Sequence, residues 1–349
     1  MSRITFAATL AALEGNAGAT REVVGRAFDA ILAGEWNPVQ VGAFAVALQM
    51  RGEQADAIVA GVEALRGSMT AVEHGLDAVL DTCGTGGDGA RTLNLSTAAA
   101  LVVAGAGVSV AKHGNRSVSS QCGSADVVEA LGIPIDVAPQ DQATILREAR
   151  IAFLFAPAHH PALRHAAQAR RDLGVRTIFN ALGPLANPAR ATHQLVGVYD
   201  DALRPMAARA LSALGTVRAW VVRSDDGLDE VSPCGSTTRV SEVDHGMVRE
   251  RTVAPRDFGI PEVERSAIAG GDARANADAI VRILEGSAHP ARDAVLVNAA
   301  AALAVADPNA ALPECGERAR ESLTSGRARE VLETWRRLAT KAAPRKGQT

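Results

Sequence analysis

The hydrophobic positions divide the chain into two unlike parts. Up to about residue 70 they recur at helical spacing. Asn37-Pro38 places an N-cap residue before a proline suited to the first helical position, and Val39 to Met50 follows with a broad apolar stripe. Asp56 to Met69 carries Ile58, Val62 and Leu65 on one helical face. A small helical domain over residues 1–73 is the expectation. The pattern changes at Ala78. Short apolar runs alternate with helical stretches through Ala78–Leu80, Thr97–Gly105, Val108–Val110, Asp126–Leu131, Ile151–Phe155, Leu195–Tyr199 and Ala219–Val222. Alternation of this kind predicts α/β units on a mostly parallel sheet. Helical patterns return near Ala273–Leu284, Asp293–Val305 and Ala328–Ala339. The α/β domain is placed over residues 74–343, with later helices able to join the helical domain. The polar tail, 344–349, is expected to be disordered.

Composition narrows the function. With 349 residues the chain can bury a sizeable core, and aromatics at 3% leave Ala, Val and Leu to fill it. A net charge of −3 argues against a general nucleic-acid binder, as does the single Tyr199 as a stacking platform. Cys83, Cys122, Cys234 and Cys315 form no CxxC pair, so neither a zinc site nor a disulfide framework is indicated. Reduced thiols in a cytoplasmic protein are the expectation. The longest apolar run, Ala98 to Val108, is far shorter than the ~20 residues of a membrane span. Met1 to Thr5 has no signal-peptide pattern.

One stretch changes the picture most. From Gly89 to Ala125 there is no Asp or Glu, in a chain where 39 acids outnumber 36 Lys and Arg. A glycine loop, Gly84-Thr85-Gly86-Gly87-Asp88-Gly89, leads into it. Asn94-Leu95-Ser96-Thr97 and Lys112-His113-Gly114-Asn115-Arg116 follow, and it closes at Cys122-Gly123-Ser124. Glycines bare backbone N–H groups, hydroxyls and amides add donors, and every formal charge is positive. This is the chemistry of a site for a phosphate-bearing polyanion. The loop matches G-x-G-x-x-G, but the acid expected about 20 residues on for a dinucleotide ribose is missing. The lysine of a P-loop is absent as well. A tight turn would explain the glycines alone, but not the donors after them.

Three further clusters carry chemistry. Lys112 to Arg116 follows a strand-like run, where an open parallel sheet binds ligands. Asp225-Asp226-Gly227-Leu228-Asp229-Glu230 reads either as an exposed acidic turn or as a magnesium site, since Mg²⁺ takes a few carboxylates plus water and substrate phosphate. His159-His160-Pro161, Arg164 and Arg170-Arg171 could share one helix face or be basic surface. Asn180 to Pro188 is marked by glycine and proline as a loop.

Together these strings resemble the anthranilate phosphoribosyltransferases. The resemblance covers nearly the whole chain and is strongest at Gly84–Asp88, Asn94–Thr97, Lys112–Asn115, Gly123–Asp126, Arg176–Pro188 and Asp229-Glu230. It implies a small helical domain beside a larger α/β domain, the nucleoside phosphorylase and phosphoribosyltransferase-like fold, in a homodimer joined through the helical domain. It implies that Gly84, Gly87, Asp88, Thr92, Asn94, Leu95, Ser96, Thr97, Lys112, His113, Gly114, Asn115, Arg116, Ser117, Val118, Ser119, Ser120 and Ser124 bind 5-phosphoribosyl 1-pyrophosphate. Ser96, Asp229 and Glu230 would hold two magnesium ions. Asn115 and Arg170 would bind anthranilate, with Gly84, His113, His160, Gly183 and Pro184 lining its path. The segment after Pro161 departs from the family's usual string, which bears on the channel near Leu163 and Ala169; Arg170 survives.

The implied reaction is attack of the anthranilate amine on the anomeric carbon, with pyrophosphate leaving. No strong general base is evident. Catalysis would rest on positioning and electrostatics, with Lys112 and His113 as candidate contributors. Two rival readings share the fold: a pyrimidine nucleoside phosphorylase-like enzyme, and a non-catalytic nucleotide-binding protein. The intact metal acids and Arg170 count against the second.

Overall fold

The computed structural model describes residues 4–15, 20–52, 54–117 and 121–344. Val118, Ser119 and Ser120, assigned above to the phosphoribosyl substrate, lie outside the described residues, as do Met1 to Arg3 and residues 345–349 of the tail. The chain opens with four helices: α1 (Phe6–Glu14), α2 (Arg21–Leu32), α3 (Pro38–Met50) and α4 (Ala55–Ser68). The start of α3 is the one its sequence predicts. Asn37 Oδ1 accepts from the Gln40 N–H, and Gln40 Oε1 accepts from the Asn37 N–H, each at 3.0 Å. Two otherwise orphaned donors are thereby satisfied.

Alternating strands and helices follow: β1 (Leu80–Gly84), α5 (Leu95–Gly105), β2 (Val110–Gly114), α6 (Ser124–Ala130), α7 (Pro139–Ala149) and β3 (Ile151–Phe155). Three helices come next, α8 (Ala156–His159), α9 (Arg164–Leu173) and α10 (Ile178–Leu185). They lead to β4 (His193–Gly197), α11 (Leu203–Ala213), β5 (Arg218–Ser224), β6 (Thr238–Asp244) and β7 (Met247–Val253). The chain ends with α12 (Ala273–Leu284), α13 (Arg292–Ala306), α14 (Leu312–Thr324) and α15 (Arg327–Ala342). The sheet runs β3-β2-β1-β4-β5-β6-β7. Its pairings from β3 through β5 are parallel, and β6 and β7 are added antiparallel.

Each face of the sheet meets its own core. Leu195, Trp220 and Val222 join α5, α7 and α12–α15. Val196, Ala219 and Val221 join the first four helices together with α9–α11. This is the period of two that a strand imposes. Each Val or Leu buried this way contributes roughly 1.5–3 kcal/mol relative to exposure. The final helices therefore pack on the face away from α1–α4. The helices that join the N-terminal ones are α9, α10 and α11.

Other positions differ from the sequence reading. β1 and β2 begin later and run on through polar residues. Lys112 and His113 belong to β2 and are only 1% and 5% exposed, so they are strand residues and not a loop beyond a strand end. The segment Asn180–Leu185 is helical, not a loop, with Pro184 inside α10. The β6–β7 hairpin and α14 were not foreseen.

Candidate active site

The site forms where β1 and β2 end beside α5. Gly86, Gly87 and Gly89 all have positive φ, +64°, +80° and +75°. The loop is pinned on both sides: Thr85 N–H donates to Gly197 O at 2.9 Å, and Leu93 N–H donates to Ile268 O at 2.9 Å. Thr92 makes a bridge to Ala269. Asn94 then caps α5. Its Oδ1 accepts from Asn276 Nδ2 at 2.9 Å, so the orientation of its amide is set by a residue of α12.

The acidic pair enters from the β5–β6 connection. Asp229 Oδ2 accepts from the Gly86 N–H at 3.1 Å. Asp88 Oδ2 lies 3.4 Å from the Asp229 nitrogen, while its Oδ1 accepts from the Ala90 N–H at 3.0 Å. The Ser96 backbone N–H favours the charged form of Glu230. Burial, then the charge of Asp88, raises the Asp229 carboxyl to about 7. Burial, then the charge of Asp229, raises Glu230 to about 8. The close fit is built into β4. A Cβ on Gly197 would stand 1.6 Å from Asp229 O, so only glycine lets the acidic loop settle there.

These residues suit a magnesium ion. Three carboxylates gather here; the charge of Asp88 raises Asp229 and that of Asp229 raises Glu230, which a cation would relieve. Ser96 adds an oxygen beside Glu230. Among the described residues no group of three His, Cys, Asp or Glu could hold a metal by itself. Coordination is thus left for water and substrate phosphate, as Mg²⁺ prefers.

Lys112 lies beneath this group. Its ammonium donates to Thr82 O and, at 3.1 Å, to Ser96 Oγ. Burial pushes it down, and the charges of Asp81 and Glu230 oppose that. Asp81 was not singled out from sequence. It is wholly buried, accepts from the His113 N–H at 3.1 Å and from Asn187 Nδ2 at 2.8 Å, and is raised to about 6 by burial. A lone acid inside an apolar run was its only signal.

A second pocket wall holds the histidines. His113 Nδ1 lies 3.0 Å from Gly183 O, and its ring centroid is 5.2 Å from that of His160. Burial holds His113 well below its ordinary value and His160 at about 4, so both are neutral near pH 7. Cys83 Sγ reaches Pro184 O at 3.5 Å, which ties α10 to β1 beside Gly84. Arg170, in the last turn of α9, lies 6.0 Å from the Phe179 ring centroid, and burial lowers its guanidinium. It makes no ion pair among the described residues.

Other expected residues are placed differently. The Leu95 and Thr97 side chains are buried, which leaves only their backbone for the expected ligand contact. Arg116 is held by Asp126 and Glu129, at 3.0 and 2.5 Å. Asp126 also accepts from the Ser117 and Gly123 N–H groups, at 3.2 and 2.9 Å. Ser124 Oγ accepts from the Asn115 N–H at 3.2 Å, and Gly114 precedes this pair at the end of β2.

A helical bundle beside an α/β domain, with a glycine loop facing paired acids, is the plan of a glycosyl transferase. The helical bundle domain of the glycosyl transferase family matches residues 10–69, and its a/b domain matches residues 76–329. Anthranilate phosphoribosyltransferase from Myxococcus xanthus is 50% identical over 330 residues, 94% of this chain and 97% of its own. The crystal structure of the Thermus thermophilus enzyme has a TM-score of 0.86 at 39% identity, covering 92% of this chain and 95% of that one. The Saccharomyces cerevisiae enzyme, solved in complex with PRPP and Mg, has a TM-score of 0.88 at 28% identity, covering 97% and 99%. This chain belongs to the anthranilate phosphoribosyltransferase family.

Proposed function

We propose that the chain transfers the phosphoribosyl group of 5-phosphoribosyl 1-pyrophosphate to the amine of anthranilate. The products are N-(5-phosphoribosyl)anthranilate and pyrophosphate, in tryptophan biosynthesis. The observation that carries this reading is the hydrogen bond from Gly86 to Asp229, which joins a phosphate-type loop to a pair of cation-seeking acids. Yeast relatives solved with PRPP and Mg and with 4-fluoroanthranilate support the same substrates here.

The Gly84–Asp88 loop and the start of α5 present backbone N–H groups to the pyrophosphate. Asp229, Glu230 and Ser96 would hold magnesium, which when bound neutralises charge gathering on the leaving group. Lys112 lies behind Ser96, holds its Oγ, and when protonated favours the charged form of Glu230. Arg170 clamps the anthranilate carboxylate, a planar anion suited to a guanidinium fork. His113, His160, Gly183 and Pro184 line its approach. With both histidines held neutral and weakly basic, the arylamine proton passes to the substrate's own carboxylate. Rate enhancement then rests on placing amine and anomeric carbon together.

The reading extends to two magnesium ions, a cytoplasmic location and a homodimer joined through the N-terminal helices. Val39 and Met50 of α3, 79% and 84% exposed, support that self-association. Among the described residues no helix is long and apolar enough to cross a membrane. The test is loss of anthranilate fluorescence on adding 5-phosphoribosyl 1-pyrophosphate and Mg²⁺. No loss with purified protein refutes the activity.

A further inference from the structure

Arg176 sits in a short link between two fixed ends. Gly174, at φ +60°, terminates α9, and Thr177 caps α10, its N–H donating to Asn180 Oδ1 at 3.0 Å. The side chain leaves this link toward the glycine loop. Its Nη2 and Nε lie 2.9 and 3.0 Å from where a Cβ on Gly87 would stand. Its Cζ lies 4.4 Å from the Tyr199 ring centroid, within cation–π range. Tyr199 is itself part of the loop's support, since its N–H donates to Thr85 Oγ1 at 3.0 Å. The guanidinium is therefore held by a ring on one side and the loop on the other.

Arg176 is exposed and makes no ion pair among the described residues. Two other cations near the loop are engaged differently. Lys112 is buried against Thr82 O and Ser96. Arg223 reaches Val198 O at 3.5 Å. A fork of N–H donors beside loop backbone N–H groups is the arrangement that grips phosphoryl oxygens.

We propose that Arg176 is a pyrophosphate-binding residue, closing over the Gly87 side of the loop against the leaving group. The proposal rests on the phosphoribosyl transfer reading for its ligand. It also gives Gly87 a second reason to be glycine, because a side chain there would displace the guanidinium.

The test compares wild type with Arg176→Met, which keeps much of the side chain's length and removes charge and donors. Calorimetry would measure binding of pyrophosphate with Mg²⁺ and, separately, of ribose 5-phosphate. The dissociation constant for pyrophosphate should rise roughly ten- to a hundredfold. That for ribose 5-phosphate, the KM for anthranilate and the unliganded melting temperature should stay near wild type. Tyr199→Leu, which loosens the guanidinium without removing charge, should weaken pyrophosphate binding by a smaller factor. Unchanged pyrophosphate binding in Arg176→Met overturns the proposal, as does a change confined to anthranilate. If wild type binds pyrophosphate through Arg176 but does not consume anthranilate, the activity reading fails and the clamp stands. Normal turnover with unaltered pyrophosphate binding in the variant removes the clamp alone.

Discussion

Asp229 holds Gly86: its carboxylate accepts the loop's backbone N–H at 3.1 Å, across 143 positions of sequence. The acid thus shapes the glycine loop in addition to the metal-holding role proposed for it. Asp229→Asn with Glu230→Gln should abolish turnover to within assay background and change the dependence on Mg²⁺. Steady-state rates over a magnesium titration check this, and normal kinetics would remove both residues from the metal site.

Arg170→Ala should raise the KM for anthranilate roughly ten- to a hundredfold, the loss of about 1.5–3 kcal/mol expected for charged hydrogen bonds. The KM for 5-phosphoribosyl 1-pyrophosphate should move little. Initial-rate kinetics with each substrate varied in turn separate the two. An unchanged anthranilate KM would refute the assignment.

Asp226 should matter without touching substrate. Its carboxylate accepts from Ser224 Oγ and from Ser232 Oγ, the latter at 2.7 Å, and meets Arg265 at 3.5 Å. These bonds fasten both ends of the loop that presents Asp229 and Glu230. Asp226→Ala should raise the Mg²⁺ concentration needed for half-maximal rate severalfold and leave the anthranilate KM unchanged. Asp226→Asn should recover part of the loss. Equal effects on both quantities would mean general unfolding instead.

His160 gives a pH signature. Its folded value of about 4 lies below the ordinary 6.5, so the unfolded chain binds the extra proton first as pH falls. Its contribution is complete above about pH 6.5 and is lost as pH drops through about 4, up to roughly 3 kcal/mol. Denaturant melts of wild type and His160→Asn from pH 7 to 4 should show a shallower decline in the variant. Parallel curves would exclude the residue.

The sequence made the glycine loop, the acidic pair and Arg170 readable because each is a local string with its own chemistry. Asp81 and Asn187 were not readable. Their importance lies in a buried contact between residues 106 positions apart. Lys112 and His113 read as loop because polar residues rarely continue a buried strand; here Thr82 O, Ser96 Oγ and Gly183 O receive them. The β6–β7 hairpin escaped because Arg and Glu alternate through it, and its apolar positions show a face only once β5 lies alongside. The helix α14 escaped because its buried positions include small residues, Cys315, Gly316, Ala319 and Ser322.

The helix that carries Arg170 shares its core with α1–α4, while the glycine loop and α5 grow from the sheet and the opposite core. On the roles proposed here, the guanidinium for the acceptor's carboxylate is carried by one core, and the loop for the pyrophosphate by the other. Variation among α2, α3 and the body of α9, ahead of the link that carries Arg176, can then reshape the pocket for the aromatic acceptor while the pyrophosphate machinery stays in place. That makes this architecture a starting point for transferring phosphoribose to other arylamines, with libraries confined to those helices.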